Sequence, residues 1–227
     1  MTRSRVLLLA VVFIPSSVAD SVSQSAERGE SAEVRSADQL WSSLANGNRR
    51  FVDGKPKSRD LVSERRSLEK SQHPLVAVLS CSDSRVPPEI VFDQGPGEFF
   101  VVRVAGNSAD PIGRGSLEYA VEHLGTVMIV VLGHQSCGAV AAACSGKKMP
   151  TTNLDEVVRP ITQSCRVAKA GHPGENMDDF AIRDHVHRTA QELLARSPIL
   201  KHAYDEGKLT IVEAYYSLDS GAVTRLH

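Results

Sequence analysis

The chain has 227 residues, 41% of them hydrophobic and 23% charged, with a formal net charge of −1. That length suits one domain with a proper core. The balanced charge offers neither the basic excess that attracts nucleic acid nor an acidic block, so nucleic acid is excluded as a partner.

At the N-terminus, Arg3 and Arg5 precede the apolar run Val6 to Ile14, and Pro15-Ser16-Ser17-Val18-Ala19 ends in a small-x-small pattern. This is the layout of a secretory signal peptide cut after Ala19. The apolar run is far short of the about 20 residues that span a bilayer; an uncleaved anchor is the alternative. No Cys follows the run, which argues against a lipid anchor. Residues 1–19 are therefore read as signal peptide, and 20–35, rich in Ser, Glu and Ala, as a flexible leader. The expected domain is 36–227, exported to the periplasm or the medium, with no membrane association after cleavage.

Ser36 or Asp38 caps a first helix, whose apolar stripe is Leu40, Trp41, Leu44 and Phe51. Trp41 reads as a packing anchor. Gly54-Lys55-Pro56 ends that segment, and Leu61 to Ser71 is a charged, moderately helical stretch broken by Gln72-His73-Pro74. Leu75 to Ser80 is a buried strand. A short helical turn with Pro at its start follows over Val86 to Phe92, then the turn Gly95-Pro96-Gly97 and a strand over Glu98 to Val104. Ala105-Gly106-Asn107 ends that strand. Gly115 to Leu124 is helical, with Gly125 placed for a C-terminal cap. Val127 to Leu132 is a third strand, and Cys137 to Ala143 a small-residue helix. Amphipathic helices follow over Val157 to Ala170 and Asp178 to Ala195. Leu209 to Tyr216 is a further strand, and a turn at Asp219-Ser220-Gly221 leads into Val223 to Leu226. Strands alternating with helices predict an α/β domain: a mostly parallel central sheet flanked by helices, with an N-terminal helical arm.

Two strands end in the same chemistry. The first runs into Cys81-Ser82-Asp83-Ser84-Arg85, the third into Gly133-His134-Gln135-Ser136-Cys137-Gly138. Sites in open α/β sheets form beyond the carboxyl ends of strands, so if these strands are neighbours their ligands converge. His134 and Cys137 lie three apart, a spacing that puts both on one face at a helix N-terminus, where the dipole favours a thiolate. Two Cys and one His suit Zn²⁺ in tetrahedral geometry. The fourth position falls to Asp83, which closes the site, or to water, which leaves it catalytic. Arg85 can hold Asp83 in a bidentate pair and so decides between the two. With these two Cys assigned to metal, Cys144 and Cys165 are read as buried free thiols, a disulfide between them being the alternative in an oxidising compartment.

These motifs resemble the β-class carbonic anhydrases. The resemblance extends to Leu44-x-x-Gly47-Asn48-x-Arg50-Phe51, Val91-Phe92-Asp93-Gln94-Gly95, Phe100-Val101-Val102-Arg103, Ala105-Gly106-Asn107 and Ser116-Leu117-Glu118-Tyr119-Ala120-Val121, and returns over Ile211 to Gly221. It implies one Zn²⁺ per subunit on Cys81, His134 and Cys137, with Asp83 as fourth ligand or as Arg85's partner. It implies reversible hydration of CO₂ to bicarbonate and a proton. It also implies a homodimer or higher homo-oligomer with sites at the subunit interface and N-terminal helices wrapped around the partner. Residues matching Gln72, Phe100 and Tyr119 line the substrate pocket, with contributions from the partner subunit, and Gly138 matches a position whose backbone approaches substrate. Some members need a Trp three residues before the first zinc Cys for a regulatory bicarbonate pocket. Val78 stands there, so that pocket is expected to be missing, although Arg103 remains.

The metal's expected task is to lower the pKa of bound water. Two thiolates donate more charge than imidazoles, so activity should rise with pH above neutrality. Two alternatives stay open: hydrolysis of a CO₂ analogue such as CS₂ or COS on the same ligands, and a zinc-stabilised binding module without turnover, against which Asp83 and Arg85 argue. His185 and His187, two apart on a helix, make a poor metal pair. His73, His123, His172, His202 and His227 are read as surface or packing residues, from which the sequence does not choose a proton shuttle. Gly113-Arg114-Gly115 lacks a P-loop lysine and a preceding strand, so it is not a nucleotide loop.

Overall fold

A computed structural model describes residues 36–172, 174 and 177–226. The expected signal peptide and leader, 1–35, lie outside the described residues. The elements in order are α1 (Ala37–Val52), α2 (Leu61–Ser67), β1 (Val76–Cys81), α3 (Pro88–Val91), β2 (Phe99–Val104), α4 (Pro111–Leu124), β3 (Met128–His134), α5 (Gly138–Ser145), α6 (Thr152–Val158), a 3₁₀ turn (Arg159–Ile161), α7 (Thr162–Gly171), α8 (Met177–Arg196), α9 (Pro198–Asp205), β4 (Thr210–Tyr216) and β5 (Val223–Arg225).

The sheet order is β2-β1-β3-β4-β5. The first four strands run parallel, and β5 is an antiparallel edge. This is the expected α/β architecture. β1 and β3 are buried along their whole length, as continuous apolar runs in a sheet covered on both faces must be. Side chains alternate between those faces. Val76, Val78, Met128, Val130 and Leu132 meet Leu40, Leu44, Val91 and Phe92 on one side. Ala77, Leu79, Ile129 and Val131 meet Leu117, Val186, Leu193 and Leu200 on the other. Among the described residues no helix is long and apolar enough to cross a membrane.

Helix α1 starts where the sequence places it, with a capping box between Ser36 and Gln39. Its buried leucines, Leu40 and Leu44, each contribute about 1.5–3 kcal/mol if fully withdrawn from water. Trp41 and Phe51 pack beside them. Asn48 then fixes the helix laterally. Its Nδ2 donates to Val91 O at 3.0 Å and Gly221 O at 2.9 Å, and its Oδ1 accepts from Val223 N at 2.8 Å.

Helix α2 ends at Ser67, short of the expected Ser71, and three further elements depart from expectation, each for a local reason. Helix α4 begins at Pro111 rather than Gly115, because Asp110 caps it by accepting from Gly113 N and Pro111 fits the first turn. Where a helix is expected over Val157 to Ala170 lie the end of α6, which already starts at Thr152, then the 3₁₀ turn and α7; Pro160, which has no N–H to give, sits at the break. Helix α9 was not read from the pattern; Ser197 caps it and Pro198 starts it.

Gly47 gives a direct check on the α1–α3 contact. A Cβ there would lie 2.0 Å from Phe92 O, a backbone atom. Gly47→Ala gains about 1 kcal/mol of helix propensity, but the overlap forces α1 off α3 at a cost of about 1–3 kcal/mol or more. The clash should win, so the urea midpoint should fall with the m-value unchanged. A raised midpoint would mean that α1 moves freely over α3.

Candidate metal centre

β1 and β3 are direct neighbours and parallel, with Ser80 level with Leu132. Their carboxyl ends therefore open at one place, as the convergence argument requires. Cys81 is the last residue of β1 and His134 the last of β3. Cys137 is the residue that caps α5. His134 and Cys137 thus do not share a helical face, contrary to the spacing argument. A strand end and a helix start are joined by a turn in which Ser136 takes a left-handed conformation (φ 55°). That turn, not helical periodicity, swings Cys137 back towards His134.

The three ligand atoms of Cys81, His134 and Cys137 all lie within 4.8 Å of one another, and all three residues are buried. The two Sγ atoms are 4.0 Å apart. Tetrahedral zinc with metal–sulfur bonds of 2.3 Å separates its sulfurs by about 3.8 Å. His134 Nδ1 donates to Gln135 O at 2.8 Å. That fixes the tautomer and leaves Nε2 as a bare, buried lone pair with no partner among the described residues. Two sulfurs at tetrahedral spacing and an unpartnered imidazole nitrogen fit a Zn²⁺ ion by geometry and by donor type.

Without a cation the thiols cannot both ionise. One thiol donates to the other's sulfur, and that shared hydrogen bond holds the Cys81 thiol below its usual range against the opposing effect of burial. The same hydrogen bond, with burial, holds the Cys137 thiol far above its usual range. The pair keeps one proton between them until a positive charge replaces it.

Asp83 stands beside this cluster. Its Oδ1 accepts from Arg85 N and Nε, both at 2.9 Å, and Oδ2 accepts from Arg85 Nη2 at 2.7 Å. These bonds hold the Asp83 carboxyl far below the usual carboxylate range. Oδ2 is also 3.9 Å from His134 Nε2. Arg85 Nη2 reaches on to Ser136 O at 3.3 Å, so one guanidinium ties the loop after β1 to the turn after β3.

Of the expected pocket residues, Gly138 lies with the ligands, at the start of α5, with open space where a Cβ would stand. Gln72, Phe100 and Tyr119 do not. Phe100 is level with Ala77, whereas Cys81 is level with Val104. Four residues of strand, about 13 Å, separate them. Phe100 and Tyr119 neighbour each other, ring centroids 6.5 Å apart, and Tyr119 is half exposed. Gln72 is exposed ahead of β1.

Other supports were not visible in the sequence. Arg103 donates from Nε to Cys81 O at 3.0 Å and from Nη2 to Asp83 O at 2.6 Å. Gly106 N donates to Cys81 Sγ at 3.3 Å. Gln135 Nε2 donates to Asp219 Oδ2 at 2.5 Å, which anchors the turn to the chain after β4. Behind the ligands, Cys144 and Cys165 form a disulfide between α5 and α7. The expectation of free thiols is corrected: packing of the two helices brings the Cα atoms to 5.0 Å, within bridging range, which spacing in sequence could not reveal.

The sequence model of the carbonic anhydrase family matches residues 76–223. "Carbonic anhydrase 2" of Mycobacterium tuberculosis is 42% identical over 192 residues, covering 82% of this chain and 92% of that protein. The carbonic anhydrase of Mycolicibacterium smegmatis is 42% identical over 188 residues, covering 81% and 90%. The β-carbonic anhydrase CafA of Aspergillus fumigatus superposes with a TM-score of 0.67 at 26% identity, over 82% of this chain and 90% of that one.

The donor set separates ligands from their neighbours. Cys81→Ser should abolish zinc retention on purification, whereas Asp83→Asn should keep close to one zinc per chain, read by elemental analysis. Equal loss in both variants would make Asp83 an obligatory ligand.

Proposed function

The chain belongs to the β-class carbonic anhydrases, and from that premise we propose that it hydrates CO₂ reversibly at a Zn²⁺ held by Cys81, His134 and Cys137, one ion per subunit. The observation that carries this is the buried cluster of two sulfurs and an unpartnered His134 nitrogen within 4.8 Å. When bound, the ion supplies Lewis acidity that makes water nucleophilic near neutral pH.

The protein's own groups arrange the rest. Asp83 is the acceptor beside the cluster, its Oδ2 3.9 Å from His134 Nε2. Arg85 takes both of its oxygens, which keeps the carboxylate ionised and off the ligands. With a metal ion bound, Asp83 could turn from Arg85 towards the ion, giving up the pair's three hydrogen bonds, and that exchange would be the switch between open and closed forms. Val78 is wholly buried under the α1 face and Arg103 is engaged by Cys81 and Asp83. Both facts support an enzyme without the bicarbonate-regulated pocket.

CO₂ needs a small apolar pocket, and one chain alone keeps Phe100, Tyr119 and Gln72 away from the ligands. We assign these to the neighbouring site of a homodimer, with higher assembly open. β2 supports this: among the described residues it is an outer strand whose far edge is unpaired, and such an edge is usually covered. The Cys144–Cys165 bond, of a kind that persists in oxidising compartments, supports export together with the N-terminal sequence.

Stopped-flow CO₂ hydration should give a rate that rises with pH from about 6.5 to 9. Asp83→Asn should lose about 10²-fold in kcat. Zinc-loaded protein without CO₂ turnover across that range would sink the proposal. The shared pocket has its own check. A Cys81→Ser chain and a Gln72→Ala chain, each nearly inactive, should on random mixing recover about a quarter of wild-type sites, because mixed dimers hold one complete site. No recovery, with exchange of subunits demonstrated, would place Gln72 outside the partner's pocket.

A further inference from the structure

His185 lies in the middle of α8 and is 2% exposed. Its Nε2 is 2.9 Å from Gly106 O and 3.1 Å from Ser108 Oγ. A carbonyl oxygen only accepts, so Nε2 carries the proton and donates. Nδ1 is then a bare lone pair, buried and without a partner among the described residues. Burial keeps the ring neutral, pushing its pKa down to about 4.

A residue serving packing alone would not need this ring. An apolar side chain of similar volume would fill the space without leaving a buried nitrogen unpaired, an arrangement folded proteins mostly avoid. What the ring adds is a donor aimed at Gly106.

Gly106 is the residue whose N–H donates to Cys81 Sγ. It sits in a left-handed conformation (φ 79°), followed by Asn107 in another (φ 47°). Its surroundings are tight: a Cβ would lie 2.7 Å from Ile161 Cδ1 and 3.2 Å from Ala139 Cβ. The turn after β2 is thus pressed from the 3₁₀ turn and α5, bonded at its carbonyl by α8, and aimed by its amide at the sulfur.

We propose that His185 is a positioning residue for the metal centre: it holds Gly106 O so that Gly106 N–H stays on the Cys81 sulfur. An N–H donated to a metal-bound thiolate withdraws charge from the sulfur, which tunes how strongly it donates to the ion. His185 touches neither metal nor substrate and acts through Gly106. The inference rests on Cys81 being a metal ligand.

The test uses the full chain loaded with Co²⁺, whose thiolate charge-transfer band reports sulfur donation. His185→Leu should move that band to lower energy and weaken zinc binding, measured by chelator competition, by about 10-fold or more. His185→Gln, whose amide N–H reaches the same carbonyl, should restore the band and hold affinity within about threefold of wild type, well inside that 10-fold loss. If the leucine variant does not fold, His185→Asn, polar but too short to reach Gly106, takes its place. An unshifted band in the leucine or asparagine variant overturns the proposal, as does an equal shift in the glutamine variant. Wild-type protein that gives no thiolate band with Co²⁺ overturns the ligand assignment itself, and the proposal with it.

Discussion

Two buried thiols 4.0 Å apart stand beside an imidazole lone pair that has no partner among the described residues. Ionising both sulfurs at that distance costs about 4 kcal/mol of repulsion even at an effective dielectric of 20. A divalent cation on the two thiolates and the neutral imidazole would make the cluster neutral as a whole. Much of the surrounding structure can be understood as holding Cys81, His134 and Cys137 in place.

That support comes from unrelated parts of the chain. The adjacency of β1 and β3 sets the distance between Cys81 and His134. Arg85 ties the two loops across the top, and Arg103 fixes the backbone of Cys81 and Asp83 from the neighbouring strand. Gly106 reaches the Cys81 sulfur from the turn after β2, and α8 stands behind it. The Cys144–Cys165 bond braces the helix that Cys137 begins. Metal ligands are few, but the geometry that makes them a site is distributed over nearly every layer of the fold.

The ligands and the parallel sheet were legible because both leave local signatures. Apolar runs of six residues read as buried strands, and Cys81, Asp83, Arg85, His134 and Cys137 stood at their ends. What escaped is non-local or conformational. Ser136 carries no mark in sequence of its left-handed backbone, so His134 and Cys137 were placed on one helix face when a turn brings them together. The α5–α7 approach that joins Cys144 to Cys165 depends on tertiary packing. In sequence His185 reads only as half of a poor metal pair with His187, because its partner, Gly106, lies 79 residues away. Phe100 and Tyr119 were named through family resemblance, and the chain shows that a single copy leaves them at the far end of the sheet. The start of α4 was missed because Gly113 and Gly115 outweighed Asp110 and Pro111 in the pattern, whereas in the fold the cap decides.

Asn48 carries one more consequence. Its amide joins α1 to Gly221 and Val223, contacts spanning 173 and 175 residues of chain. Nothing earlier in the sequence can substitute for those partners. Its bond to Val91 O needs only the next 43 residues, but the clamp is complete only with the end of the sheet, so the two ends of the domain hold each other; long-range closure of this kind slows folding.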